Sequence, residues 1–124
     1  MSKTPTIPTE LLSALALFIK ELDSHLIYFK SLLSELERAN GDARISQLQD
    51  RAKVMEHRFH VIKGAASFFK LSDLRACAVE GETLFKDGSF TGTDDEAALI
   101  ELKRIFNELA TGSLELRESF AEPR

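Results

Sequence analysis

Between residues 45 and 69 apolar side chains recur in alternating steps of three and four: Ile45, Leu48, Ala52, Met55, Phe59, Ile62, Ala66 and Phe69. Steps of that kind keep every member on one stripe of a helix. A stripe so regular packs knobs-into-holes against other helices. A half-buried strand would need a period of two, and no β-branched run alternates in that way. The pattern therefore predicts a helix over 42–70, about 43 Å long at ~1.5 Å per residue, with Asp42 able to cap its start.

The rest of the chain supplies surfaces for that stripe. Leu11, Leu15, Phe18, Leu22, Phe29, Leu33 and Leu36 recur at helical spacing, with His25 or Leu26 filling the seam between Leu22 and Phe29. They predict a helix over about 9–39, capped by Thr9 or Thr6 and stopped by Asn40-Gly41. A shorter helix over 73–87 begins at a Ser72 cap and turns Leu74, Cys77, Ala78, Gly81, Leu84 and Phe85 inward. Thr93 and Glu96 have the spacing of a capping box. The helix they open, about 94–120, buries Leu99, Leu102, Ile105 or Phe106, and Leu109. Residues 1–8, with two prolines, are expected to form a flexible arm or a short turn of helix. Short connections between amphipathic helices predict an all-α, antiparallel up-down-up-down four-helix bundle, one domain over 1–124.

Composition narrows the function classes. The 124 residues suffice to bury a core without disulfides or metals. Sixteen basic against twenty acidic residues, with no basic block among aromatics, argue against a nucleic-acid partner. No apolar run approaches the roughly 20 residues that cross a bilayer, so no membrane partner is expected. Met1-Ser2-Lys3-Thr4-Pro5 lacks the features of a signal peptide, and the single cysteine, Cys77, suits a reducing compartment. A cytoplasmic location is expected. There is no Gly-rich phosphate loop, no Cys-x-x-Cys pair and no Gly-x-Ser-x-Gly elbow, so no ATP site or kinase activity of its own is expected.

The chemistry lies on the polar side of the long helix. His60, Lys63, Gly64 and Ser67 fall within about a 100° arc, which Lys53, Glu56 and His57 extend backwards. A neutral imidazole is a nucleophile at neutral pH, and its Nε2 can attack a phosphoryl group carried by another molecule. Such transfers depend on positioning and charge stabilisation. Lys63, one turn on, can set an ammonium against the phosphoryl oxygens. Gly64 costs the helix roughly 1 kcal/mol relative to alanine, and it leaves a gap beside the imidazole. Ser67 is small and completes the clear patch.

The run His60-x-x-Lys63-Gly64-Ala65-Ala66, with Leu74, Ala78 and Glu82 at fixed offsets, resembles the signature of histidine-containing phosphotransfer (HPt) domains. The specific motif covers His60 to Glu82, and the four-helix pattern extends the likeness along the chain. The resemblance implies that His60 takes a phosphoryl group from a receiver-domain aspartate and passes it to another receiver. It implies that Lys63 assists with charge and that Gly64 admits the receiver. Glu82 then faces the histidine from the next helix, where it can accept from Nδ1–H or pair with Lys63. The partners implied are response-regulator receiver domains and a (hybrid) sensor histidine kinase. Mg²⁺ is expected from the receiver, and the chain needs no cofactor of its own. Two departures stand out. Lys70 occupies the place, ten residues after the histidine, where many members have glycine, which puts the exit turn in question. The stretch from Gly41-Asp42 to His60 is also about two turns longer than in compact members.

Several residues have plainer readings. Phe59 and Phe68 lie about 100° and 80° from His60 on either side, so each can be core or part of an apolar rim that docks a receiver. Glu56 and His57 can influence partner choice or simply be solvated. His57 and His60 lack a carboxylate or cysteine beside them, and no metal site is expected. His25 is expected to hydrogen-bond at a core edge and Cys77 to be a buried packing thiol. A monomer is expected, because the reactive face must stay open. Two alternatives remain: the amino-terminal phosphotransfer domain of a chemotaxis-type or hybrid histidine kinase, or a helical-bundle adaptor without phosphoryl chemistry.

Overall fold

The structure, a computed structural model, describes residues 7–120. A 3-10 turn, Thr9–Leu11, leads into α1 (Leu12–Glu37), followed by α2 (Gly41–Phe68), α3 (Ser72–Lys86) and α4 (Asp95–Ser119). Of the arm expected over 1–8 only Ile7 and Pro8 are described, and Ile7 packs half-buried on the core. The Thr6 cap lies outside the described residues. α1 packs on α2 and α4, and α3 packs on the same two, so α1 and α3 stand diagonally across the bundle. This is the all-α up-down-up-down arrangement that the apolar stripes require. Among the described residues no helix is long and apolar enough to cross a membrane.

The α2 stripe is the core. Leu48, Ala52, Met55, Phe59, Ile62, Ala66 and Phe69 are buried, and Ile45 is half-buried. On α1, Leu15, Phe18, Leu22, Phe29, Leu33 and Leu36 meet them; on α4, Ile105 takes the inward place and Phe106 the half-buried one. Phe29, Phe59 and Phe85 stack through the centre, with ring centroids 4.7 and 6.3 Å apart. A Cβ at Gly81 would stand 2.4 Å from the Phe59 ring, so only glycine lets α3 come this close to α2. Cys77 is buried as expected; its Sγ–H donates to the Ile105 carbonyl at 3.3 Å, and burial pushes the thiol up to about 12.

The helix ends differ from the expected ones. α1 stops at Glu37, and Gly41, at φ +56°, opens α2 rather than closing α1. Asp42 does not cap α2. The carboxylate that does so comes from the first turn of α4: Asp95 Oδ2 accepts from the Gly41 N–H and from Arg44 Nη1, both at 3.0 Å. Arg44 is buried, and also donates to the Leu36 and Ala39 carbonyls at the end of α1. One guanidinium thereby ties three helix ends together. Ser72 is the first residue of α3, not a side-chain cap. On α4 the cap is Asp94, one residue later than the Thr93–Glu96 spacing indicated; its Oδ1 accepts from the Glu96 and Ala97 N–H groups.

Lys70 resolves the question of the exit turn. The Leu71 N–H bonds to the Ala66 carbonyl at 2.8 Å and the Lys70 N–H to the Ser67 carbonyl at 3.1 Å, the paired bonds of a Schellman turn. Lys70 adopts φ +59°, the left-handed conformation that glycine takes without a Cβ penalty. The turn is therefore the one glycine would make, formed by a residue less suited to it.

Lys70→Gly should raise stability by up to about 1 kcal/mol, read from the thermal midpoint; a lower midpoint would contradict this turn. Asp95→Ala takes from a buried guanidinium the one carboxylate it pairs with among the described residues and should cost roughly 2 kcal/mol in urea unfolding. Unchanged stability would mean that the α1 carbonyls alone satisfy Arg44.

Candidate functional site

Burial of Phe59 and Ile62 on the α2 stripe turns His60 outward; its side chain is 62% exposed. The close approach at Gly81 brings the next residue of α3, Glu82, against the same strip. Glu82 Oε2 lies 2.9 Å from His60 Nδ1, and its Oε1 lies 2.7 Å from Lys63 Nζ. The two pairings open at the sequence level are made together, one by each oxygen.

An ionised carboxylate can only accept, so the proton of the neutral imidazole sits on Nδ1 and Nε2 keeps its lone pair. The Lys63 hydrogen bond first, and the His60 bond second, hold the Glu82 carboxyl below its ordinary range. Its folded value is depressed, so its contribution is present above the ordinary carboxyl range and is lost as pH falls through the lowered value. At neutral pH the orienting anion is therefore in place.

Gly64 is exposed, and a Cβ there would meet nothing within 4 Å. Its cost to the helix has no packing explanation. Ser67 is exposed, and its hydroxyl accepts from Arg75 Nε at 2.9 Å, across the α2–α3 turn. Phe68 is 62% exposed and held edge-on to Phe69, with centroids 5.0 Å apart. Phe59, the other candidate for an apolar rim, is 1% exposed between Phe29 and Phe85. It belongs to the core and cannot dock a partner. On α2, Val54 and Val61 are also exposed and carried no signal in the sequence analysis, although with Phe68 they form a row spaced by seven.

Glu56 is half-buried and takes no part in the His60–Glu82–Lys63 ion pairs. His57 is exposed and lines a groove between α1 and α2 with His25, Lys53, Arg58 and the two valines. His25 is half-buried at the core edge, as expected. Its Nδ1 accepts from Arg58 Nη1 at 2.9 Å, and burial, then Arg58 and His57, lower its proton affinity. Among the described residues no three His, Cys, Asp or Glu side chains group as metal ligands.

A family model described as Hpt domain matches residues 13–112, a span that contains every residue of this cluster. No curated protein and no solved structure matches the chain.

The geometry predicts that ¹⁵N spectra will find His60 mainly as the Nδ1–H tautomer. Glu82→Gln should shift it toward the Nε2–H form that free imidazole side chains favour. A wild-type ring already in the Nε2–H form would refute the role given to Glu82.

Proposed function

The chain belongs to the Hpt domain family, whose members carry phosphoryl groups on histidine in two-component signalling, and we propose that His60 is the residue that carries it here. In this reading a receiver-domain aspartyl phosphate is the donor and the aspartate of another receiver is the acceptor. The His60 Nε2 lone pair attacks phosphorus as the P–O bond to the aspartate breaks, and the carboxylate leaves with its electron pair. The Nδ1 proton stays where it is, hydrogen-bonded to Glu82, and balances charge as the ring becomes an N-phosphoryl imidazole. The observation that carries the proposal is the Glu82 bridge, which leaves Nε2 free on an exposed ring beside an unsubstituted Gly64.

Lys63 has a second task in this scheme. Its ammonium is held by Glu82 before transfer and lies one turn from the imidazole, ready to turn toward the equatorial phosphoryl oxygens. In this reading Mg²⁺ comes with the receiver. The partners are receiver domains and the histidine kinase that feeds them. The carrier works as a cytoplasmic monomer, which suits a lone thiol and keeps the face around His60 open.

Incubation with a phosphorylated receiver tests the proposal. The chain should gain an acid-labile phosphoryl group, and His60→Gln should abolish it. Lys63→Ala should slow transfer by roughly 10²-fold. Gly64→Gln should block transfer without unfolding the bundle, since space is open there. Full labelling of the His60 variant would end this reading.

A further inference from the structure

We propose that Arg75 is a docking residue, a guanidinium fixed at the edge of the reactive strip to bind a carboxylate on the receiver. The inference rests on the phosphotransfer reading above and adds the surface chemistry of the partner.

Arg75 lies in the first turn of α3 and reaches to the last turn of α2, where its Nε–H donates to Ser67 Oγ. That bond uses one edge of the guanidinium and holds the group in place. Among the described residues neither Nη has a hydrogen-bond or ion-pair partner. The other anchored arginines are committed. Arg44 pairs with Asp95, Arg51 with Glu35, Arg104 with Glu80, Glu101 and Glu108, and Arg117 with Asp23. Arg58 is held by His25 and lies over the Tyr28 ring. Arg75 alone among these is exposed, oriented by a neutral hydroxyl and without a carboxylate.

Its setting fits a contact residue. Phe68, next in sequence to Ser67, holds its ring out to solvent while packed edge-on to Phe69. A pre-oriented arginine on one side of the polar strip and an exposed aromatic on the other are two of the residue types in which protein interfaces concentrate their energy. The planar fork of two Nη groups matches a carboxylate bidentately. Ser67 lies about 10 Å along the helix from His60 at ~1.5 Å per residue. The Ser67 bond holds the guanidinium about two helical turns from His60. Arg75 therefore binds the receiver's surface and not the transferred group, and it acts on association rather than on the chemical step.

The test compares wild type with Arg75→Ala, Arg75→Lys and Arg75→Glu in transfer from a phosphorylated receiver. Phosphoramidate, a small donor that needs no docking surface, is the control. Arg75→Ala should raise KM by about tenfold and leave kcat unchanged, with a weaker dependence on salt. Arg75→Glu should raise KM further, and Arg75→Lys should recover only part of the loss. Labelling of His60 by phosphoramidate should keep its wild-type rate in all three. An unchanged KM in a folded Arg75→Ala would overturn the inference. So would a fall in kcat or a large fall in thermal midpoint common to the alanine and lysine variants, which would assign a structural role. Wild type that phosphoramidate labels but no receiver does would instead overturn the carrier reading, and this one with it.

Discussion

The contact between Gly81 and the Phe59 ring sets the distance between α2 and α3, and the reactive cluster depends on that distance. A side-chain carbon at position 81 would overlap the ring, so α3 would have to move away. His60 follows Phe59 and Glu82 follows Gly81. The residues in contact inside the core are thus the immediate neighbours of the residues in contact outside it. Packing density in a core leaves little slack, and here it places a carboxylate 2.9 Å from an imidazole nitrogen at the surface. A rigid aromatic stack of Phe29, Phe59 and Phe85 stands directly beneath.

The opposite end of the bundle is secured differently. α2 extends well ahead of His60, and its first turn carries no side-chain cap of its own. Arg44 and Asp95 fill that gap from within the tertiary structure, joining the last carbonyls of α1 to the first N–H of α2 and the first turn of α4. Nearly buried ion pairs of this kind add little net stability over an apolar substitute, but leaving one member alone is costly. Their effect here is to fix the relative positions of three helix ends, and so the register in which α2 presents its polar strip.

The charges of the site divide in the same economical way. Glu82 serves two donors, the Lys63 ammonium and the His60 Nδ1–H, with two oxygens, and its low proton affinity keeps both bonds intact at neutral pH. Around that centre the surface is uneven. Gly64 is bare, Phe68, Val61 and Val54 expose apolar surface on one side, and Arg75 holds its guanidinium on the other. A small polar centre with apolar and cationic margins suits a brief encounter with a partner protein.

Periodicity in the amino-acid sequence was enough to determine the helices, their inward faces and the bundle, because burial of an apolar stripe is a property each helix carries alone. The spacing of His60, Lys63 and Gly64 likewise put an imidazole, an ammonium and a gap on one face, since helical geometry alone decides which residues share a side. The motif named Glu82 but not its pairing, and only the fold showed that one carboxylate takes both partners. Phe59 and Phe68 were indistinguishable by angle, lying on either side of His60. Only the approach of α1 and α3 decided that the first is core and the second surface. Local spacing at Asp42, Ser72 and Thr93 indicated caps, whereas Asp95 and Asp94 make them on α2 and α4, because a helix end takes whichever acceptor the whole fold brings nearest. Arg75 carried no signal in the sequence, since its meaning depends on Ser67, a residue on another helix.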